Sequence, residues 1–135
     1  MADWDASAFE QMMPLAKTLG ITFQSSQPGR VEARMDWNNA FCTVGGVLHG
    51  GALMALADST GATCAFLNLP EGAAGTTTIE SKTNFLRAVR SGYVQATSTP
   101  LHAGRKVIVV DTSLRDEQGN LVARVTQSQL VLGES

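Results

Sequence analysis

The sequence predicts a single α+β domain in which an antiparallel sheet curves around one long helix. Residues 50–67 form an apolar run of helical length, with two strand-like segments before it and four after it. Short turns separate the strands, and consecutive strands joined in this way pair antiparallel with a helix packed on one face. At 135 residues the chain suits one domain, residues 1–135, with an N-terminal helical segment at residues 1–20.

The first element is a short helix over Asp5–Leu19, where apolar side chains recur near helical spacing and Pro14 interrupts the run. Gly20 ends this helix. Two alternating segments follow at Ile21–Gln24 and Val31–Trp37. The Pro-Gly pair between them predicts a turn, so the two segments form a hairpin.

The central helix follows a glycine-rich loop and ends near Asn68 and Pro70. Small residues occupy much of it, so we expect the sheet to approach closely and to bury almost the whole circumference of the helix. The four later strands are expected at Thr76–Ala88, Gly92–Pro100, Lys106–Arg115 and Leu121–Val131.

Asp58 is the only side chain of this helix that is charged at neutral pH. Its apolar neighbours predict a buried carboxylate without a partner. Removing an ionised carboxylate from water is costly unless the group is paired, hydrogen-bonded or protonated. Asp58 is therefore either satisfied by a structural contact or used in chemistry.

Composition excludes several function classes. Hydrophobic residues make up 44% of the chain and charged residues 16%, with a net charge of −2, which suggests surface hidden in an oligomer. Ten Lys and Arg against twelve Asp and Glu leave no basic stripe for nucleic acid. The helix of residues 50–67 is too rich in Ala, Gly, Ser and Thr, and carries an acid, so we expect no membrane span.

The location expected from the sequence is cytoplasmic. The N-terminal residues MADWDASAFE are acidic and lack the pattern of a secretory signal. Cys42 and Cys64 show no metal-ligand spacing, so we expect two reduced core thiols and no metal site.

Four short segments together resemble the hotdog-fold acyl-CoA thioesterases. They are LHGG at residues 48–51, ALAD at 55–58, TIE at 78–80 and NFLR at 84–87. The resemblance spans roughly residues 31–132 and is closest to the phenylacetate-degradation type and the related 4-hydroxybenzoyl-CoA thioesterases. It implies the hotdog fold, an acyl-CoA substrate with no separate cofactor, and a two-fold homodimer, often paired into homotetramers, with active sites between subunits.

The residues support this chemistry independently. Gly50 and Gly51 lie where the helix begins, so unpaired backbone N–H groups and the helix dipole there favour negative charge on a thioester oxygen. Asp58 would act as nucleophile or as base for water. It lies about 12 Å along the axis from Gly50, at about 1.5 Å per residue. One carbonyl cannot touch both groups of one chain, so the two must come from different subunits.

The resemblance also implies individual roles. The position of Gly50 donates to the thioester carbonyl, with Gly51 beside it, and His49 lines the site, although His49 could instead only cap or orient the helix start. The hydroxyl of Thr78 holds the attacking water or the carboxylate. Thr43 stands where many relatives carry Asn or Gln to position water or substrate.

Cations are expected to bind the phosphates of coenzyme A. The turn with Arg105 and Lys106 matches a segment that contacts the nucleotide end of CoA in the resembling enzymes, and Arg87 and Arg90 flank another turn. Solvated turns commonly carry such residues as well. The acyl group would enter an apolar pocket, for which the candidates are Met12, Phe41, Met54 and Phe66.

Two alternatives stay open at this point. A hotdog enoyl-CoA hydratase or dehydratase would pair His49 with Asp58 for proton transfer, and a crotonyl-type thioester assay would reveal it. A non-catalytic acyl-CoA-binding module would bind ligand without turnover, and Asp58→Asn would leave any residual hydrolysis unchanged.

Overall fold

The computed structural model describes residues 7–133. Within this range, six strands form one antiparallel sheet, and a single long helix packs across one of its faces. The strands are β1 (Thr22–Gln27), β2 (Arg30–Asp36), β3 (Gly75–Phe85), β4 (Tyr93–Ala103), β5 (Val107–Asp116) and β6 (Leu121–Leu132). They lie in the order β1-β2-β4-β5-β6-β3, and every neighbouring pair is antiparallel. The predicted fold class and all six strands are confirmed.

Three α-helices and one 3₁₀ turn complete the fold. They are α1 (Ala8–Met12), α2 (Pro14–Thr18), the 3₁₀ turn Asn39–Phe41 and α3 (Gly50–Leu67). Pro14 interrupts the N-terminal helix as predicted, because proline fits the first turn of α2 but not the interior of a continuous helix. The predicted start of that helix at Asp5 lies outside the described residues.

Side chains define both ends of α3. The Nδ1 atom of His49 accepts a hydrogen bond from the Gly51 N–H at 2.7 Å. At the other end, the Asn68 side-chain amide donates to the carbonyls of Cys64 at 2.8 Å and Pro28 at 2.7 Å. The second bond joins the end of α3 to the turn between β1 and β2, so the helix is fixed on the sheet.

The core lies between α3 and the concave face of the sheet. Burying a large aliphatic side chain there contributes about 1.5–3 kcal/mol to stability. Fully buried aliphatic side chains come from β2, β4, β5, β6 and α3, namely Val31, Met35, Val94, Ile108, Val110, Leu114, Val122, Val125 and Leu56.

One side of α3 is open within the chain, so the prediction that the sheet buries almost its whole circumference is wrong. Gly51 and Asp58 are exposed, and Ala55 and Ala62 are only half-buried. Their spacing places all four on one helical face, which we call the open stripe. The sheet covers only the opposite side because it ends at β3 instead of closing around the helix.

Within residues 7–133, the strand β3 forms one edge of the sheet and pairs only with β6. Its 11 residues include a bulge between Thr78 and Glu80 that adds Ile79 to the strand. Such a bulge re-aims the side chains around it, and bulges are common beside active sites. The Thr78 side chain precedes the bulge and faces α3.

Candidate active site

The chain enters α3 through a tight loop, residues 41–49, which the side chains of Trp37 and Arg90 hold in place. The loop folds back on itself, since the His49 N–H donates to the Phe41 carbonyl at 2.9 Å and the Thr43 N–H donates to the Val47 carbonyl at 2.8 Å. At its tip, Gly45 and Gly46 have φ of 83° and 75°, a left-handed conformation that glycine adopts without strain.

The carbonyls of that glycine pair are both bonded. Trp37 Nε1 donates to the Gly46 carbonyl at 3.0 Å, and the Arg90 guanidinium donates to the Gly45 carbonyl at 3.3 Å. These contacts fix the approach to His49. Arg90, one of the candidate phosphate ligands, therefore holds the loop in this structure, and Thr43 is an exposed residue of the same loop.

The His49 ring caps the helix and changes the role expected of Gly51. We expected unpaired N–H groups at both glycines, but the Gly51 N–H is taken by His49 Nδ1 at 2.7 Å. That prediction is wrong for Gly51, because its lack of a side chain lets the ring fold back over it. With Nδ1 accepting, a neutral His49 carries its proton on Nε2 and keeps that donor available.

The Gly50 N–H is unpaired within the described chain, as predicted. Among residues 7–133 no acceptor bonds it, as is usual for the first residue of a helix. Gly50 lies in an open groove of about 440 Å³, whose lining includes Phe85, Leu86 and Arg87. A Cβ atom at Gly50 would stand 3.1 Å from the Phe85 ring, so the absent side chain lets that ring lie against the helix start.

Asp58 is neither buried nor unpartnered, so both of these expectations are wrong. Its carboxylate is exposed on the open stripe, because the sheet ends beside it. The Thr78 hydroxyl donates to Asp58 Oδ1 at 2.8 Å, and the Gln127 amide donates to the same oxygen at 3.2 Å. Within the described chain, nothing bonds the other oxygen, Oδ2.

The sequence analysis did not predict two of the residues that surround Asp58. Gln127 and Gln129 are 0% exposed, and the Gln129 amide donates to Thr78 Oγ1 at 2.6 Å. A signal for them exists in β6, where alternation from Val125 places both glutamines on the buried face. Polar residues at two successive inward positions are unusual enough to indicate a site.

An apolar groove lies next to Asp58 along α3. It has a volume of about 260 Å³. It is lined by Phe9, Met12, Met13, Ala62, Thr63, Phe66, Gly75 and Thr76. Ala62 is one helical turn beyond Asp58, so the groove lies about one turn along α3 from the carboxylate. Of the four candidate acyl-pocket residues, Met12 and Phe66 line this groove.

A second apolar groove lies at the helix start. It has a volume of about 320 Å³, and Phe41 lines it together with His49, Gly51 and Ala55. Met54 lines neither of the two apolar grooves. The four candidate acyl-pocket residues therefore do not form one pocket within the chain.

The candidate phosphate ligands are spread over both ends of α3. Arg87 lines the groove at Gly50. Arg105 and Lys106 are exposed in the turn between β4 and β5, and Arg105 lines a small cavity with the segment 70–73 that follows α3. Within one chain, this turn and the helix start are therefore at opposite ends of the molecule.

Among residues 7–133, no group of three or more His, Cys, Asp or Glu side chains is arranged to hold a metal ion. Both cysteines are free thiols, and burial raises the pKa of Cys64 to about 12. None of the described helices is long and apolar enough to cross a membrane.

Comparison with known proteins points to one family. The model of the thioesterase superfamily matches residues 45–123. A candidate esterase of Haemophilus influenzae is 36% identical over 116 residues, which cover 84% of this chain and 83% of that protein. The crystal structure of thioesterase HI1161 of Haemophilus influenzae, described as EC 3.1.2.-, has a TM-score of 0.90 at 29% identity and covers 98% of this chain and 93% of that one.

A mutant of thioesterase PA1618 from Pseudomonas aeruginosa gives a similar result. Its crystal structure has a TM-score of 0.85 at 29% identity, with 97% of each chain covered. The predicted hotdog fold is thereby confirmed. The matched residues 45–123 contain His49, Gly50, Asp58 and Thr78, whereas Gln127 and Gln129 lie beyond them.

Proposed function

Because the chain belongs to the thioesterase superfamily, we propose that it hydrolyses an aromatic or medium-chain acyl-CoA to the free acid and CoA. The observation that carries this proposal is the Asp58 carboxylate. Asp58 is exposed on the open stripe, and among the described residues its carboxylate is bonded through Oδ1 alone, so Oδ2 has no partner there. A carboxylate with one anchored and one available oxygen is suited to attack a substrate or to take a proton from water.

The reaction can follow two routes with the same groups. With Asp58 as base, Oδ2 takes a proton from water, the water oxygen bonds the thioester carbon, the C–S bond breaks, and the departing CoA thiolate takes the proton from Asp58. With Asp58 as nucleophile, Oδ2 bonds the carbon and expels the thiolate, and water then hydrolyses the resulting anhydride. In both routes negative charge develops on the carbonyl oxygen.

The Gly50 N–H is the proposed donor to that oxygen. It has no acceptor among the described residues and lies at the positive end of α3. One such preorganised donor contributes about 3 kcal/mol to transition-state stabilisation. His49 supports the donor by capping the next N–H, and its Nε2 proton is available to the site.

The proposed active site takes Gly50 from one subunit and Asp58 from another. In a single chain the two are eight residues apart in α3, about 12 Å along its axis. A thioester carbonyl cannot reach both groups across that distance. Two copies related by a two-fold axis would complete two sites at once.

The open edge of the sheet supports a dimer of this kind. An uncovered edge strand such as β3 readily pairs with another strand. Thr78 bonds Asp58, and Phe85 packs on Gly50, so β3 runs antiparallel to α3. Antiparallel pairing of two β3 strands around Ser81 and Lys82 would bring the Asp58 end of one subunit to the Gly50 end of its partner.

A homotetramer built from two such dimers is part of the proposal. The dimer would use the open edge of β3 and the open stripe of α3. The convex face of the sheet would stay available, and it presents Ile79, which is 57% exposed, and Leu130, which is 38% exposed. Exposed apolar side chains of this size support a further contact between dimers.

The groove beside Asp58 is the proposed acyl site. Its volume of about 260 Å³ has room for about eight groups the size of a water molecule, which share about 30 Å³ each. That space suits an aryl or medium-length chain. Its lining side chains are aromatic, aliphatic or hydroxyl-bearing, with no ionisable group, as expected for an acyl pocket.

The proposed phosphate contacts are Arg87, Arg90, Arg105 and Lys106. Arg87 has the best placement within one chain, since it shares the groove with Gly50. Thr43 and Gly51 are proposed to shape the same approach. We propose no metal and no cofactor, with a location in the cytoplasm, where the free thiols of Cys42 and Cys64 would stay reduced.

A hydratase or dehydratase is less well supported. That reaction would need His49 of one subunit and Asp58 of another to work as a pair, whereas the family to which the chain belongs and the solved structure it resembles are thioesterases. A crotonyl-type thioester should therefore be hydrolysed or ignored, not hydrated. A binding module without turnover is the other alternative, and the following variant distinguishes it.

Release of the CoA thiol from aryl, short-chain and long-chain acyl-CoAs tests the proposed function. We expect the native protein to prefer aryl or medium-chain esters, and Asp58→Asn to lower kcat about a hundredfold or more with little change in KM. Asp36→Asn makes the same exchange at an exposed carboxylate at the end of β2 and should leave kcat unchanged. Equal hydrolysis by native protein and Asp58→Asn would contradict the role of Asp58.

A further inference from the structure

Two glutamines lie in the core at positions where apolar side chains would be expected. Gln127 and Gln129 are both 0% exposed, and the carbonyl oxygen of each side chain has no partner among the described residues. An unsatisfied buried polar group lowers stability by about 1–3 kcal/mol. Packing alone therefore does not explain why both amides are there.

Both amides are linked by hydrogen bonds to the carboxylate of Asp58. Gln127 donates to Asp58 Oδ1 directly, at 3.2 Å. Gln129 donates to Thr78 Oγ1 at 2.6 Å, and Thr78 Oγ1 lies 2.8 Å from Asp58 Oδ1. Direct pairing of Thr78 with Gln129 between β3 and β6 brings the hydroxyl and the amide together.

The number of protons that each group can donate determines which group donates in each of these hydrogen bonds. An ionised carboxylate only accepts hydrogen bonds, and a threonine hydroxyl has one proton to donate. Thr78 must therefore donate its proton to Asp58, and its oxygen accepts the hydrogen bond from the Gln129 amide. Without the Gln129 N–H, the Thr78 hydroxyl loses the contact that turns its proton toward Asp58.

Both bonds to Asp58 end on Oδ1, and Oδ2 has none within the described chain. Two bonds to one oxygen restrict rotation of the carboxylate, and the other oxygen stays without a partner on an exposed residue of the open stripe. Gly61 makes room for this arrangement, because a Cβ there would overlap the Gln127 amide.

We propose that Gln127 and Gln129 are positioning residues that hold the Asp58 carboxylate so that Oδ2 is the reacting oxygen. Gln127 acts on Asp58 directly, whereas Gln129 acts only through Thr78. The inference rests on the proposed function, since it specifies how the hydrolytic carboxylate is aimed. It holds for both routes, because Oδ2 is the base in one and the nucleophile in the other.

The test is a double-mutant cycle. Gln129→Met keeps side-chain length and removes the amide, and we expect it to lower kcat about tenfold with KM unchanged, because the Thr78 hydroxyl then loses its bond to the charged Asp58. Thr78→Val should do the same, and the double variant should be no slower than Thr78→Val alone. Gln127→Met should instead lower kcat in both the native and the Thr78→Val background.

Stability separates positioning from a structural role. Gln129→Met also removes an orphaned carbonyl, so we expect its Tm to stay level or rise while kcat falls. Gln129→Leu is the second variant if the methionine packs poorly. Gln95→Met, at a bonded glutamine on the convex face, is the matched control and should leave kcat unchanged.

Independent effects of Gln129→Met and Thr78→Val on kcat would overturn the inference while leaving hydrolysis by Asp58 intact. A crystal structure of Gln129→Met tests the same contact without turnover. We expect the Thr78 hydroxyl to leave Asp58 Oδ1, and an unchanged Thr78–Asp58 contact would overturn the inference. Failure of the proposed function would be a different result, because the native protein would then hydrolyse no thioester.

Discussion

Asp58 has two carboxylate oxygens with different surroundings. Oδ1 accepts hydrogen bonds from Thr78 and Gln127, and Oδ2 accepts none within the described chain. The sequence alone predicts a buried apolar setting for Asp58, because every neighbour along α3 is uncharged. Its true setting depends on where the sheet ends, which is a property of strand order and is invisible in the helix itself.

Gly61 provides a test at this scale. Gly61→Ala should gain about 1 kcal/mol from helix propensity. It should lose about 1–3 kcal/mol through overpacking, since the new Cβ overlaps the buried Gln127 amide. We expect a lower Tm by thermal denaturation and kcat reduced about tenfold, because the Gln127–Asp58 bond is displaced.

Gly29→Ala is the control, since nothing lies within 4 Å of a Cβ in that turn. It should change neither Tm nor kcat appreciably. Native kcat in Gly61→Ala would show that the Gln127 contact does not support the carboxylate.

At the scale of elements, the sequence predicted most of the fold. All six strands and α3 follow from alternation, turn residues and the apolar run, since these signals are local. The candidate residues Gly50, His49, Asp58 and Thr78 also came from local motifs. Gln127 was missed because its role depends on β6 packing under α3, a contact between distant parts of the chain.

The start of α3 can be tested by removing one N–H. Gly50→Pro deletes that donor at the first helical position, where proline is well tolerated. His49 already has φ −62° and ψ 137°, which suits a residue before proline. We expect kcat of the CoA-release assay to fall about a hundredfold with α3 intact by circular dichroism.

Gly50→Ala is the matched variant. It places a Cβ near the half-exposed Phe85 ring but keeps the N–H, so it should retain most of the native kcat. Equal losses in both variants would mean that crowding, and not the lost donor, lowers kcat.

At the scale of the whole molecule, the proposed site is shared between two subunits. The open stripe of α3 and the open edge of β3 lie on the same side of the fold, next to Asp58. The low charged fraction of 16% agrees with surface that is covered in an assembly. Neither opening follows from any one segment, because each depends on how the elements are arranged.

A charge on the open stripe should separate the subunits. Ala55→Lys adds a long cation to the half-buried centre of the stripe, and burying it in an interface is costly. We expect a folded monomer by light scattering, with hydrolysis largely lost. Ala103→Lys adds the same charge at the exposed end of β4 and should keep the proposed dimer intact. A fully active Ala55→Lys monomer would refute the shared site.

The central claim is that each site combines Gly50 of one subunit with Asp58 of another. Asp58→Asn and Gly50→Pro, each nearly inactive alone, are co-refolded in equal amounts and assayed for CoA release. Half of the dimers should be hybrids with one intact site in two, which restores about a quarter of native activity. A mixture no more active than its separate components would place both groups in one chain and contradict the account.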